Sequence, residues 1–221
     1  MAQARWFSIR LSGFTCLHNR HVHLWFASYS FSLAADRRSV IRLKCFIPFI
    51  LRTRTPAAGV RNSETPHAMA GAIYELAKSP EVQSRLRQDP TLVDTAVEET
   101  VRLHAPVVMV ARTVTSDTDI AGVSLRAGDR IGLNFAAASR DPDVCENPQS
   151  FDLDRAEVVH TAFGVGPHWC IGEHLARLEI RVTIEEMLMR IPDFRIQPGT
   201  TPKFESGQLR TMHELHLSWG S

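Results

Sequence analysis

The sequence predicts a mainly α-helical protein with small β-sheets. Three observations carry this prediction: apolar residues recur at helical spacing in several stretches between residues 67 and 189, short alternating stretches fall between 107 and 135 and beyond 194, and the composition is that of a soluble globular chain, 44% hydrophobic and 22% charged over 221 residues. His67 to Lys78 places Met69, Ile73, Leu76 and Ala77 on one helical face and stops at Ser79-Pro80. A second helix fits Glu81 to Arg87. Asp89-Pro90 then supplies a cap and a first-turn proline for a third, Thr91 to His104, which ends before Ala105-Pro106. Val107 to Thr115, Ile120 to Leu125 and Arg130 to Phe135, punctuated by Gly122 and by Ala127-Gly128-Asp129, read as short strands of a hairpin-rich sheet. Ala136 to Arg140 suits a short helix, and Asp141 to His160, with Pro142 and Pro148, is expected to be irregular. The last strong helix is Glu173 to Met189, with Leu175, Leu178 and Val182 expected on its core-facing stripe. Phe194 to Ser221 suits a terminal hairpin.

The chain divides by charge. Residues 1–63 hold ten Lys and Arg against Asp36 alone, net +9, whereas residues 64–221 hold fifteen against twenty-three acids, net −8, so the overall +1 conceals two different parts. Residues 1–63 form a basic segment without a recognisable domain; the first 55 or so show no sustained period and are expected to be poorly ordered or loosely packed. A basic arm for nucleic acid or membrane, an organelle-targeting peptide and a non-native leader all suit that composition. The near-neutral total gives no reason to expect nucleic-acid binding by the rest of the chain. Cys16, Cys45, Cys145 and Cys170 form no CxxC pair, which argues against a disulfide framework or a zinc ribbon and for a reducing, cytoplasmic setting. The apolar run Cys45 to Leu51 contains Pro48 and is far shorter than the roughly 20 residues that span a bilayer, and Arg5 and Arg10 interrupt any secretory signal, so no membrane attachment is expected.

The strongest motif is Phe163-Gly-Val-Gly166-Pro-His168-Trp-Cys170-Ile-Gly172, a glycine-rich loop that delivers one cysteine to a helix start. Free N–H groups and the helix dipole favour negative charge there, the state in which a thiol ligates metal. Gly166 and Gly172 permit close approach of a flat group to the backbone. A second element is Glu99-Thr-Val-Arg102, whose i, i+3 spacing puts an acid and a base on one helix face.

Taken together these residues resemble the cytochrome P450 haem-thiolate monooxygenases: Phe163, Gly166, His168, Cys170 and Gly172 match the family's F-x-x-G-x-H/R-x-C-x-G loop, followed by Leu175-Ala176 and Glu179. The resemblance covers about Glu64 to Ser221 and is closest to bacterial, soluble, camphor-hydroxylase-like members. It implies the C-terminal half of the P450 fold, with residues 64–221 as part of a domain about twice as long. It implies haem b ligated through Cys170, with Phe163, Gly164, His168, Gly172, Ala176 and Arg112 around it, His168 and Arg112 serving the propionates; a plain surface arginine is the alternative for Arg112. Glu99 and Arg102 would close a structural triad with Arg155 of the irregular stretch. Val107, Val108 and Met109 would line an apolar substrate pocket. Glu64-Thr65 is the counterpart of the family's acid–alcohol relay, one residue out of the expected register, and equally suits a helix cap. The implied reaction inserts one oxygen atom of O2 into a C–H bond of an apolar small molecule such as a terpenoid, with electrons from NAD(P)H through a ferredoxin reductase and a ferredoxin. The alternatives are a catalytically inactive haem-binding fragment and a basic-arm interaction protein.

Overall fold

Prolines and short polar caps set the helix boundaries. The computed structural model describes residues 6–8, 32–34, 40–43 and 64–219. Helix α1, Thr65–Lys78, opens with Pro66 in its first turn and stops at Ser79, whose side chain accepts from the Val82 N–H and so starts α2, Pro80–Gln88. Asp89 caps a 3-10 turn, Pro90–Leu92, and α3, Val93–Leu103, continues from it. The third predicted helix is therefore a tight turn followed by an α-helix, because Asp89 draws the Thr91 N–H and hydroxyl to its own side chain and tightens the first turn. The longest helix, α5, is Glu173–Arg190, and the short α4 is Phe135–Ala138.

The strands form separate small sheets. Among the described residues three lie in the basic segment: β1, Trp6–Ser8, pairs with β2, Ser32–Ala34, and β3, Val40–Leu43, pairs antiparallel with the C-terminal strand β10, Arg210–Trp219. The remainder of residues 1–63, including Cys16 and Cys45 and most of the stretch expected to be poorly ordered, lies outside the described residues. The single hairpin-rich sheet expected between 107 and 135 is instead two ribbons. β4, Met109–Thr113, pairs with β7, Arg130–Asn134, while β5, Thr118–Ile120, pairs with β6, Val123–Leu125. The stretch around Gly122 folds back on itself because Ala121 and Gly122 both have positive φ, 51° and 80°, the conformation of a two-residue hairpin turn. β8, Phe194–Ile196, and β9, Lys203–Ser206, pair with β10.

The core lies between α1, α2, α3 and α5 and the inner face of β8 and β10. Leu76, Leu86, Ile180, Ile184, Phe194, Leu215 and Leu217 are almost wholly withdrawn from solvent, each contributing up to about 1.5–3 kcal/mol of burial. One polar side chain ties two layers together: Gln83 donates to the carbonyls of Leu76, at 2.8 Å, and Phe194, at 2.6 Å.

The face of α5 differs from expectation. Ile180, Thr183, Ile184, Met187 and Leu188 are buried, whereas Leu175 and Leu178 are 39% and 41% exposed and Val182 is only partly covered. Apolar residues surround this helix, so periodicity does not single out the side that meets α1 and α3, and the predicted stripe is the wrong one at Leu175 and Leu178.

Where α1 crosses α3 the approach is tight: a Cβ at Gly71 would lie 2.6 Å from His104, so only glycine fits. The buried His104 hydrogen-bonds Glu75 at 2.8 Å, and Glu75 also accepts from Lys78 at 2.7 Å. Burial pushes His104 below the ordinary imidazole value of 6.5 and keeps it neutral, so its Nε2–H is the donor. Burial alone would raise Glu75, but the bonds from His104 and Lys78 outweigh it and hold the carboxyl below 4.5. Because the unfolded chain binds the His104 proton at higher pH than the folded one, this residue's contribution to stability declines as pH falls through 6.5. His104→Gln, which keeps a donor toward Glu75, is expected to reduce the loss of stability between pH 7.5 and 5.5; equal losses in wild type and variant by urea titration would contradict this assignment.

Candidate functional site

The cysteine loop is shaped by glycine and closed by its own backbone. Gly164 and Gly166 have φ of +79° and +67°, and a Cβ on Gly164 would lie 3.3 Å from the His168 carbonyl. The Cys170 N–H donates to Phe163 O at 2.9 Å, the Trp169 N–H to Gly166 O at 3.0 Å, and the Gly164 N–H to Thr161 O at 2.8 Å. These bonds set Cys170 three residues before α5, whose Glu173 N–H donates to Cys170 O at 3.4 Å and whose Ala176 N–H donates to Gly172 O at 2.9 Å. Cys170 is exposed, unlike Cys145, which is buried with its sulfur near the Glu146 carbonyl. Val165, Trp169 and Ile171 around it are exposed apolar side chains, Ile171 completely. His168 is exposed as well.

The neighbouring strands reach this loop through α4. Phe135 lies within 4.0 Å of where a Cβ on Gly164 would stand, the Thr161 hydroxyl donates to Phe135 O at 3.3 Å, and the Ala136 N–H donates to Val108 O at 3.3 Å. Val107 and Val108 are half-buried, with Val108 donating to Gln208 O at 2.9 Å. Met109 is exposed and packs where a Gly132 side chain would be, its sulfur 2.6 Å from that position. Arg112, on β4, is exposed and bonds only the carbonyl of its neighbour Ala111 among the described residues. Glu64 stands at the N-cap of α1 without a side-chain cap bond, and Thr65 is the first, buried, helical residue.

Beneath the loop, α3 presents a buried charge cluster. Arg102 donates to both oxygens of Glu99, at 2.6 and 2.9 Å, and Arg155 donates to Glu99 Oε1 at 3.0 Å. Glu99 also accepts the Asp152 N–H at 2.9 Å. Arg102 reaches Pro148 O at 2.7 Å and Ser150 O at 2.8 Å, and Arg155 reaches Glu146 O at 2.7 Å, so the three side chains hold the irregular stretch from 146 to 152 by its backbone. The Glu99 and Arg102 side chains are fully buried. The Glu99 carboxylate lies between two guanidiniums with its lone pairs filled, the arrangement in which buried charge is best tolerated, while Arg155 Nη2 is buried without a partner among the described residues.

A model of the cytochrome P450 family matches residues 57–216. The chain belongs to the cytochrome P450 family. It is 40% identical over 144 residues to a probable cytochrome P450 127A1 of Sinorhizobium fredii, covering 65% of this chain and 34% of that one. It is 33% identical over 156 residues to a linalool 8-monooxygenase of Pseudomonas putida, covering 71% and 38%. The crystal structure of CYP108D1 from Novosphingobium aromaticivorans superposes with a TM-score of 0.66 and 36% identity over 71% of this chain and 38% of that one. The chain thus spans about a third of the length of the relatives it matches. The fold is part of the P450 fold. Among the described residues no helix is long and apolar enough to cross a membrane.

Members of this family carry haem through a cysteine thiolate. The described residues fit that group: an exposed sulfur at a helix start, flat glycine backbone beside it, exposed apolar side chains around it, and the hydrogen-bonding side chain of His168 two residues away.

Four residues at this site were not singled out from sequence. Glu98, beside Glu99 on α3, accepts from Arg177 Nε at 2.6 Å and bonds His160 at 3.0 Å, and Arg177 also donates to Glu173 at 2.6 Å. The one visible signal was the i, i+4 spacing of Glu173 and Arg177, which ordinarily marks a solvated pair.

Proposed function

We propose that this chain is the haem-binding part of a bacterial-type haem-thiolate monooxygenase, in which Cys170 would ligate the iron. The observation that carries the reading is the exposed Cys170 thiol held by the Cys170 N–H to Phe163 O bond at the end of a loop with two left-handed glycines. When bound, the haem supplies the oxidative chemistry that inserts one atom of O2 into a C–H bond, the protein contributing ligand, orientation and electrostatics. The loop would direct the sulfur toward the iron, with the N–H groups of the first turn of α5 beyond it. Phe163, Gly164, Gly172 and Ala176 offer the backbone and apolar surface against which a flat macrocycle packs. His168 and Arg112 would bond its carboxylates, Arg112 by a bidentate fork once its side chain turns from Ala111. Val107, Val108 and Met109 would line the substrate side, which favours an apolar small molecule, terpenoids among them. Glu64 and Thr65 would relay protons there. Electrons would come from NAD(P)H through a ferredoxin reductase and a ferredoxin, in the cytoplasm.

The decisive experiment is a carbon monoxide difference spectrum of the reduced, haem-loaded chain. Wild type is expected to show the thiolate-type band and Cys170→Ser to lose it, while Cys145→Ser retains it. A thiolate band that survives in Cys170→Ser would remove the assignment.

A further inference from the structure

The cysteine loop is poorly anchored at its apex. From Val165 to Ile171 every residue is exposed, and the bonds that close the loop are local. What joins it to the helical core lies at its two feet. His160 and Phe163 stand on the entering side, Glu173 and Arg177 on the leaving side, and both sides meet at one carboxylate, Glu98. His160 Nε2 lies 3.0 Å from Glu98 Oε2, while Arg177 donates to Oε1 at 2.6 Å and to Oε2 at 3.3 Å. The Arg177 guanidinium also sits 4.6 Å from the centre of the Phe163 ring. Phe163 in turn is the residue whose carbonyl accepts the Cys170 N–H. On the other flank Arg177 bonds Glu173, the first residue of α5, at 2.6 Å, and the Glu173 N–H donates to Cys170 O at 3.4 Å.

From this arrangement we infer that Arg177, seated on Glu98, is a positioning residue for the Cys170 sulfur, acting through Phe163 on one side and through Glu173 on the other. The inference rests on the haem-thiolate reading for its purpose, but its geometry concerns the protein alone. Arginine suits the task because one planar fork bonds two carboxylates while its face covers an aromatic ring; a lysine ammonium donates from a single point and has no planar face to stack. The cluster is half-buried, so its bonds are less screened than those of a surface pair. Burial alone would favour a protonated Glu98 and a neutral Arg177, but the bonds between them outweigh it, lowering the Glu98 carboxyl and raising the Arg177 guanidinium. The acid needed here is Glu98 and not its neighbour Glu99, which is engaged by Arg102 and Arg155.

The test uses the full 221-residue chain without haem and then with it. In Arg177→Gln the amide hydrogens of Trp169 and Cys170 are expected to exchange at least tenfold faster than in wild type, with those of α2 unchanged. Cys170 is expected to react with iodoacetamide at a rate altered severalfold. Arg177→Lys should fall between the two. After haem loading, the glutamine variant should shift a measurable part of the reduced carbon monoxide spectrum from the thiolate-type band to one lacking thiolate ligation. Unchanged exchange at Trp169 and Cys170 would overturn the proposal, as would acceleration spread evenly over α1, α2 and α3. Glu98→Gln, which keeps an acceptor for Arg177, serves as the second variant; loss of the fold in both variants would make the cluster a folding element and overturn the positioning role. Failure of wild type to take up haem would instead count against the functional reading and leave the exchange result standing.

Discussion

Replacing Glu99 by alanine is expected to abolish or nearly abolish folding. The change leaves two guanidiniums, Arg102 and Arg155, without their shared carboxylate, and the Arg102 side chain is completely buried. Removing one member of a buried ion cluster costs about 3–5 kcal/mol, against a total stability of about 5–15 kcal/mol for an ordinary domain. The loss is larger here than at an isolated pair because the cluster also holds the backbone of Glu146, Pro148, Ser150 and Asp152, which Glu99 and its arginines bond directly. Arg155→Ala should cost less, since this side chain remains slightly exposed and Arg102 still neutralises Glu99. Urea unfolding followed by circular dichroism gives the comparison. A Glu99→Ala protein within about 1 kcal/mol of wild type would show that the cluster carries no such load.

The second large effect is on turnover. Supplied with haem, a ferredoxin, a reductase and a panel of apolar substrates, the 221-residue chain is expected to form little or no coupled product, even where it binds haem. Oxidative chemistry of this kind needs water kept from the reacting centre and a proton relay held to within roughly 0.5 Å. The chain covers about a third of its relatives, and its candidate relay, Glu64 and Thr65, is the N-cap and first residue of α1. Leu175 and Leu178 on α5 and Ile171 beside the cysteine are open to solvent, apolar surface that encourages association. Product formed at about 1 per second or faster, in stoichiometry with reductant, would overturn this expectation.

Much of the fold was legible because punctuation is local. Ser79-Pro80 and Asp89-Pro90 mark helix ends by geometry that needs no partner, and α1, α2 and the terminal strands fall close to where sequence placed them. The orientation of α5 was not legible, since a helix with apolar residues on several sides takes its inner face from what packs against it. The site divides in the same way. The loop from Phe163 to Gly172 is contiguous and its residue types are demanding, so it stands out. Glu99 and Arg102 are a turn apart and visible as a pair, but Arg155, 56 residues from Glu99, came only through resemblance to a family. Glu98 and Arg177 are 79 residues apart, and each alone reads as a solvated charge. Likewise Arg140 and Arg210, which both donate to the last carbonyl of α3 at Leu103, give no sign in the sequence that they cap a helix.

Adjacent residues on a helix point about 100° apart. Glu98 and Glu99 use that divergence: one meets the feet of the cysteine loop, the other the irregular stretch from 146 to 155. Like two pins of unequal bearing, they fix both the rotation of α3 about its axis and its travel along it. A shift of a single residue would unseat both at once, so the register of this short helix is specified by buried charge more sharply than by its apolar face. The consequence reaches beyond the helix. Two arginines from different segments, Arg155 and Arg177, bear on the same short helix through neighbouring carboxylates, so the seat of the irregular stretch and the seat of the cysteine loop are one turn of α3.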